Sequence, residues 1–218
     1  MRTAYTRFRN DAGRGVHHMN KLYPIFLKLK DKKVLIVGGG MIALQKLVGL
    51  LNTEAYITII APIVIDEVRA CRGEFPNIRS IKFIERDYQF GDEKDYYMVI
   101  AATNLPELNN SIANRCRDQG ILVNSVDQAE YCDFYVPSIV DAGDIKIAIS
   151  TNGKAPSVAQ KIRKDLENII RVKYLSLVDI IHEFREKVQS KIIGEDNFAR
   201  RSKLIRWYTD RVFKERLE

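Results

Sequence analysis

Apolar residues recur along this chain in two rhythms. Between residues 33 and 126, short runs rich in Val and Ile alternate with stretches whose apolar positions return every three or four residues. The short runs are 34–37, 56–60 (YITII), 81–84, 97–102 (YMVIAA) and 121–126, and they predict five strands. YMVIAA is wholly apolar, as a strand covered on both faces requires. Helical spacing falls on Ile42, Leu44, Leu47, Val48 and Leu51, on 63–71 up to a stop at Gly73, and on 106–119. Pro106 suits a first helical turn and Gly120 a stop. The apolar stretch 23–29 leads through a polar turn at 30–32 into the first strand, and the polar segment 86–96 predicts a loop or a weak helix. Strand and helix in this alternation predict an α/β fold with a doubly wound parallel sheet.

The rhythm changes after Asp127. Two β-rich runs, 134–140 and 144–150, flank Asp141-Ala142-Gly143 and predict a hairpin. Helical sequence follows over 155–173. Tyr174, Val178, Ile181, Phe184 and Val188 then stripe a second helix that Gly194 breaks, and Ile205, Tyr208 and Val212 stripe a third. The predicted segments are an overhang at 1–18, a sheet domain at 19–132, a hairpin segment at 133–170 and a helical domain at 171–218.

The strand-to-helix junction reads KVLIVGGGMIA over 33–43. A sharp turn at Gly38 needs a residue without a Cβ. Backbone at Gly40 must come close to a pyrophosphate, and a small Ala43 lets helix and strand pack tightly. The helix start, at Met41 and Ile42, then offers free N–H groups and partial positive charge to phosphate. Gly38, Gly39 and Gly40 with Met41 and Ile42 are therefore candidate dinucleotide contacts; a tight turn without a ligand accounts for the same glycines. A dinucleotide fold usually adds an acid about 20 residues further on. Here that place holds Ile60-Ala61-Pro62, with neither a carboxylate for a ribose nor an arginine for a 2′-phosphate. That polarity favours NAD over NADP.

Composition narrows the class. Of 218 residues 46% are hydrophobic, enough for a sizeable core, and no apolar run is long enough to predict a membrane span. The 18 leading residues carry four arginines and no apolar segment, which excludes a secretory signal. They fit a disordered overhang or an upstream start, with Met19 where the ordered pattern begins, or a basic transit-like leader. Three scattered cysteines, Cys71, Cys116 and Cys132, suit a reducing cytoplasm and small buried positions. The three histidines, His17, His18 and His182, cannot together build a metal site. A net charge of +7 suits nucleic acid, a membrane surface or a polyanionic small molecule, and equally a plain solvated basic surface; no basic-aromatic pattern of an RNA module accompanies it.

Four stretches carry a resemblance: LYPIFLKLKDKKVLIVGGGMIALQK at 22–46, YMVIAATNLPEL at 97–108, ILVNSVDQAEYCDFYVPS at 121–138 and IAISTNGKAP at 147–156. In this order they resemble the siroheme synthase N-terminal family, from about residue 22 to 168. The resemblance implies a Rossmann-like domain, a swapped β-hairpin segment for dimerisation and C-terminal helices, acting as a homodimer without membrane or nucleic acid. It implies a cytoplasmic precorrin-2 dehydrogenase that uses NAD. In some members it also implies a sirohydrochlorin ferrochelatase, with Fe2+ or Co2+ as the inserted substrate. The methyltransferase module fused to some members is not in this sequence, which implies the stand-alone form.

Family members commonly carry Ala-Pro or Ser-Pro after the second strand and still use NAD, which implies that Ala61 and Pro62 line the cofactor. Ala102 and Thr103 end the fourth strand and by the same resemblance line the dinucleotide; Thr103 also suits a helix cap ahead of Pro106. Asp127 matches the aspartate tied to catalysis in the family. Dehydrogenation moves a hydride to NAD and frees a proton, which a placed carboxylate can take; a strand-end aspartate capping a turn is the other reading. Asp133 and Asp141 suit turns. The polycarboxylate tetrapyrrole substrate implies contacts at Asn124 and in the loop Thr151, Asn152, Gly153 and Lys154, where a plain helix-start loop is the alternative. Two rival classes remain. One is a non-enzymatic NAD-sensing domain of the potassium-transporter type, which normally carries the second-strand acid missing here. The other is a nucleic-acid binder, suggested by charge alone.

Overall fold

The computed structural model describes residues 22–74, 80–126, 128–193 and 197–217. The chain divides into two compact units, one running from Pro24 to Val136 and the other built from Pro137 onward. The expected segments 133–170 and 171–218 thus share a unit for most of their length.

In the first unit the elements run β1 (Lys33–Val37), α1 (Met41–Leu50), β2 (Tyr56–Ile60), α2 (Asp66–Glu74), β3 (Ser80–Ile84), β4 (Met98–Ala101), α3 (Pro106–Asp118) and β5 (Leu122–Ser125). The strands form one parallel sheet in the order β3-β2-β1-β4-β5. Alternate side chains feed two cores. Val34, Ile36, Ile57, Ile59 and Ile100 pack with Ala43 and Leu47 of α1 and Val68 of α2. Leu35, Val37, Val99, Ala101 and Val123 pack with Ile112, Ala113 and Cys116 of α3. The register aligns the carboxyl ends: Val37 pairs with Ile60 and Ala101, Ile60 with Ile84, and Ala101 with Ser125. The residues that follow these ends, Gly38, Ala61, Glu85, Ala102 and Val126, therefore form one rim. Strand order reverses between β1 and β4, and a crevice for ligands opens at such a point.

Helix α2 starts later than expected and runs through Gly73. Residues 63–65 belong instead to a loop sewn to the glycines, where the Ile65 N–H donates to the Gly39 carbonyl at 3.0 Å. The outer edge of β5 is covered by the segment after it. The Asp133 N–H donates to the Val123 carbonyl at 2.9 Å, and the Asp133 carboxylate accepts from the Val123 N–H at 3.0 Å. Asp133 so completes a strand edge rather than shaping a turn. Loop 86–96 is closed over Glu93, which is fully buried. Its carboxylate accepts from Tyr88 Oη, the Gly91 N–H at 2.9 Å, Arg115 Nε at 2.9 Å and Gln119 Nε2 at 2.9 Å. Burial alone would raise its pKa, but the hydrogen bonds from Tyr88 first, then from Gln119 and backbone N–H groups, outweigh it and hold the group down at about 2.

The second unit holds a hairpin of β6 (Ser138–Ala142) and β7 (Ile145–Ile149), then α4 (Pro156–Lys173), α5 (Leu175–Lys191) and α6 (Phe198–Leu217). The hairpin turn is Gly143-Asp144, not 141–143: Ala142 is still paired in the strand and 4% exposed, and Gly143 takes φ 63°. Val140 and Ala142 pack inward, and Ala159 is the buried position of α4. Phe184 of α5 stacks on Tyr208 of α6 with ring centroids 3.8 Å apart. Val158, Ile162, Ile169 and Val172 lie exposed along one face of α4. The expected break at Gly194 lies outside the described residues. Among those described, no helix is long and apolar enough to cross a membrane.

Candidate functional site: a glycine cradle at the carboxyl rim of the sheet

The three glycines after β1 answer to three different demands. Gly38 takes φ 125°, and a Cβ there would lie 2.3 Å from the Ala102 carbonyl oxygen. That oxygen belongs to the rim residue of β4, so β1 and β4 close on each other here only if residue 38 is glycine. A Cβ on Gly39 would lie 2.2 Å from the Ile63 carbonyl oxygen and 2.9 Å from the Ala61 Cβ. The second contact fixes the loop after β2 against the turn. Around Gly40 a Cβ would meet nothing within 4 Å, and φ −94°, ψ −166° suits any residue. Neither folding nor packing demands a glycine at 40.

That open volume stands at the start of α1. No side chain caps the helix at Gly40. The first-turn N–H groups of Met41, Ile42 and Ala43 so stand at a positive helix end beside bare backbone. Ala43 is fully buried between helix and sheet, as tight packing requires. Met41 and Ile42 are exposed at 63% and 44%, which leaves their side chains clear of the core. A helix start without a side-chain cap, open space at Gly40 and close strand packing behind it fit the pyrophosphate of a dinucleotide.

The neighbouring rim is rigid. Ala61 is buried against the glycine turn, and Pro62 follows it exposed. Ala102 is buried, and its N–H donates to the Val37 carbonyl at 2.8 Å. Thr103 spends its polar atoms inward. Its hydroxyl donates to Asn109 Oδ1 at 2.7 Å and accepts from the Leu105 N–H at 3.1 Å, while its N–H donates to the same Oδ1 at 3.2 Å. Asn109 Nδ2 returns a bond to the Thr103 carbonyl at 3.0 Å. Thr103 so organises the entry to α3, and Asn109, 3% exposed, is the residue that fixes it. The sequence signal for Asn109 was an amide three residues past a first-turn proline, in a helix turn where a buried amide needs partners.

Asp127 lies outside the described residues, but the chain on both sides is tied down. The Val126 N–H donates to the Ala101 carbonyl at 3.0 Å, which holds it beside β4. Cys132 Sγ accepts from the Ser125 N–H at 3.2 Å and donates toward the Gln128 carbonyl at 3.4 Å. Burial raises the Cys132 pKa, and burial followed by the Glu93 charge pushes Cys116 up to about 12; Cys116 is buried, while Cys132 is half-buried and not the fully buried position expected. Asn124 is 5% exposed, and its Nδ2 donates to the Phe134 carbonyl at 2.9 Å. It fastens the return of this loop and does not present its amide at the rim. Gly38–Gly40, Ala61, Pro62, Ala102 and Thr103 thus come together. Thr151, Asn152, Gly153 and Lys154 belong to the second unit. There Asn152 and Gly153 take φ 57° and 75°, and Thr151 Oγ1 accepts from the Ala155 N–H at 3.2 Å ahead of α4.

Known proteins match this architecture. A family model described as putative NAD(P)-binding matches residues 25–138, and one described as sirohaem biosynthesis protein central matches 143–169. The chain belongs to the siroheme synthase N-terminal family. A siroheme synthase of Thioalkalivibrio sulfidiphilus is 34% identical over 170 residues, covering 78% of this chain and 34% of that protein. One of Psychrobacter cryohalolentis is 39% identical over 170 residues, covering 78% of this chain and 32% of the relative. The chain therefore spans about a third of the length of these curated relatives. A solved structure of SirC, a precorrin-2 dehydrogenase, aligns with a TM-score of 0.70 and 26% identity, covering 84% of this chain and 87% of that one. The α/β fold with its following hairpin and helices is that of this family member.

Proposed function

We propose that this chain catalyses the NAD-dependent dehydrogenation of precorrin-2 to sirohydrochlorin, a step of siroheme biosynthesis. The observation that carries the reading is the open, uncapped helix start beside Gly40, with Gly38 and Gly39 packed tight behind it, in a chain similar to a precorrin-2 dehydrogenase. Gly38 and Gly39 hold the strand ends and the β2 loop close enough to shape the cradle. The first-turn N–H groups of α1 would bind the pyrophosphate, and Ala102 with the Thr103–Asn109 cage would wall the crevice. Bound NAD supplies the hydride acceptor. Asp127, which follows Val126 in the sequence, would take the proton that leaves the macrocycle as the hydride departs.

A tetrapyrrole bearing many carboxylates suits a chain of net charge +7, and Lys154 in the Thr151–Lys154 loop would pair with one of its acid arms. The homodimer expected of this family gains support from the apolar face of α4, where Val158 is 49% and Val172 82% exposed. Under this reading the protein works in the cytoplasm and needs no membrane. Metal insertion is a separate step, measured by adding Fe2+ or Co2+ once sirohydrochlorin has formed. The decisive experiment mixes purified protein, precorrin-2 and NAD without oxygen. NADH and sirohydrochlorin should appear together in equal amounts; NAD binding without turnover would favour the non-enzymatic sensor instead.

A further inference from the structure

A dinucleotide on the glycine loop directs its adenosine ribose toward the end of β2. The chain offers Ala61 and Pro62 there, and no charge. One strand over, the charge reappears. Ile60 is in register with Ile84, and the Ala61 N–H donates to the Ile84 carbonyl at 3.2 Å. Glu85, the next residue, is thus the rim neighbour of the position where an acid is expected. The arginine that meets Glu85 and the arginine next to Glu85 in the chain are both committed. Arg69 of α2 meets Glu85 fork to fork, Nη1–Oε1 at 3.0 Å and Nη2–Oε2 at 2.7 Å. Its Nε donates to the Val64 carbonyl at 3.3 Å, and its guanidinium lies 5.9 Å from the Phe83 ring centre. Arg86 grips Asp92 in the same manner, with both contacts at 2.7 Å.

Recognition of a 2′-phosphate calls for a free cation, best a guanidinium with an unused fork. Here the forks of both arginines are taken. The Arg69 hydrogen bond and charge hold the Glu85 carboxyl below its usual range, so it stays ionised at neutral pH. The two side chains are 39% and 50% exposed, within reach of a ligand and of solvent.

We propose, given a dinucleotide at the glycine loop, that the Arg69–Glu85 pair sets the choice of cofactor: Glu85 withholds Arg69 from a 2′-phosphate and repels that group itself, so the site takes NAD and rejects NADP. The negative charge that excludes a 2′-phosphate so comes from the third strand and not from the second.

Equilibrium titration of the full chain with NADH and NADPH, read by nucleotide fluorescence, tests this without any turnover. Wild type should bind NADH at least about tenfold more tightly than NADPH. Glu85→Ala should tighten NADPH about tenfold while NADH changes less than about twofold. Glu85→Gln, which removes the charge and keeps the size, should give part of that gain. Arg69→Ala added to Glu85→Ala should abolish it. An NADH-to-NADPH ratio that stays at the wild-type value in both Glu85 variants overturns the assignment, and so does a full gain that survives loss of Arg69. Wild-type protein that binds neither nucleotide overturns the dinucleotide reading itself, and this proposal with it.

Discussion

Gly39 and Gly40 stand side by side, yet alanine at the two should do opposite things. At 39 the new methyl would sit 2.2 Å from the Ile63 carbonyl oxygen and 2.9 Å from the Ala61 Cβ. Both neighbours are held: Ala61 is buried, and the Ile65 N–H ties the loop to the Gly39 carbonyl. Overpacking of this kind costs about 1–3 kcal/mol, and with backbone as the obstacle the upper end is expected. For a unit of this size that is a fall in Tm of roughly 10 °C. At 40 the backbone is extended, φ −94°, and the methyl meets nothing within 4 Å. Alanine there should leave Tm unchanged or raise it, since a compatible Gly→Ala change stabilises by about 0.4–1 kcal/mol through the unfolded chain. The same methyl projects into the volume assigned to the pyrophosphate, and NAD affinity should drop at least about a hundredfold, close to 3 kcal/mol. Thermal melts and NADH titrations on the same preparations provide the assay. Gly40→Ala that binds NADH like wild type would refute the placement of the pyrophosphate. Gly40→Ala that melts as low as Gly39→Ala would refute the claim that this residue is free of packing.

Loop 86–96 supplies a test in acid. The Glu93 carboxyl is held at about 2 in the fold against an ordinary 4.5, a difference of about 3 kcal/mol in favour of the folded state. Because the folded value is the lower one, this stability is complete above about pH 4.5 and is lost as pH falls toward 2. Urea titrations across that range should show a shallower slope in Glu93→Gln than in wild type, the remainder coming from Glu85 and Asp92, and the variant should also be about 3 kcal/mol less stable at neutral pH because Arg115, Tyr88 and Gln119 keep a weaker partner. Asn109→Ala should cost about 1–3 kcal/mol by leaving the Thr103 N–H and hydroxyl short of a partner. It should also weaken NADH binding; affinity at the wild-type level would mean that the Thr103 wall does not border the cofactor.

Much of the first unit was legible because its strands are apolar runs with glycine and proline between them. YITII became β2 without change, and Pro106 does open α3. What stayed hidden depends on contacts far apart in sequence. Ile63 and Ile65 continue a helical pattern, yet they are spent on Gly39, and only the fold brings them there. Ala142 looks like a turn residue until β7 pairs with it and the fold buries it. Asn124 carries the polarity of a ligand contact, but a buried amide in an edge strand was needed to fasten Phe134. The glycine cradle was read from spacing alone, whereas the division of labour among its three residues required the distances. Glu85 and Arg69 carry no motif; strand register brings Glu85 beside the end of β2, and the helix after β2 brings Arg69 to it.

Hydride transfer out of the macrocycle is the centre of the account, and one assay reaches it most directly. Wild type and Asp127→Asn are mixed anaerobically with precorrin-2 and NAD, and NADH is followed by its absorbance. Wild type should form NADH in step with sirohydrochlorin, and the variant, binding NADH normally, should be slower by about 10²–10⁴-fold. Wild-type protein that yields no NADH, or a variant that matches it, would contradict the account.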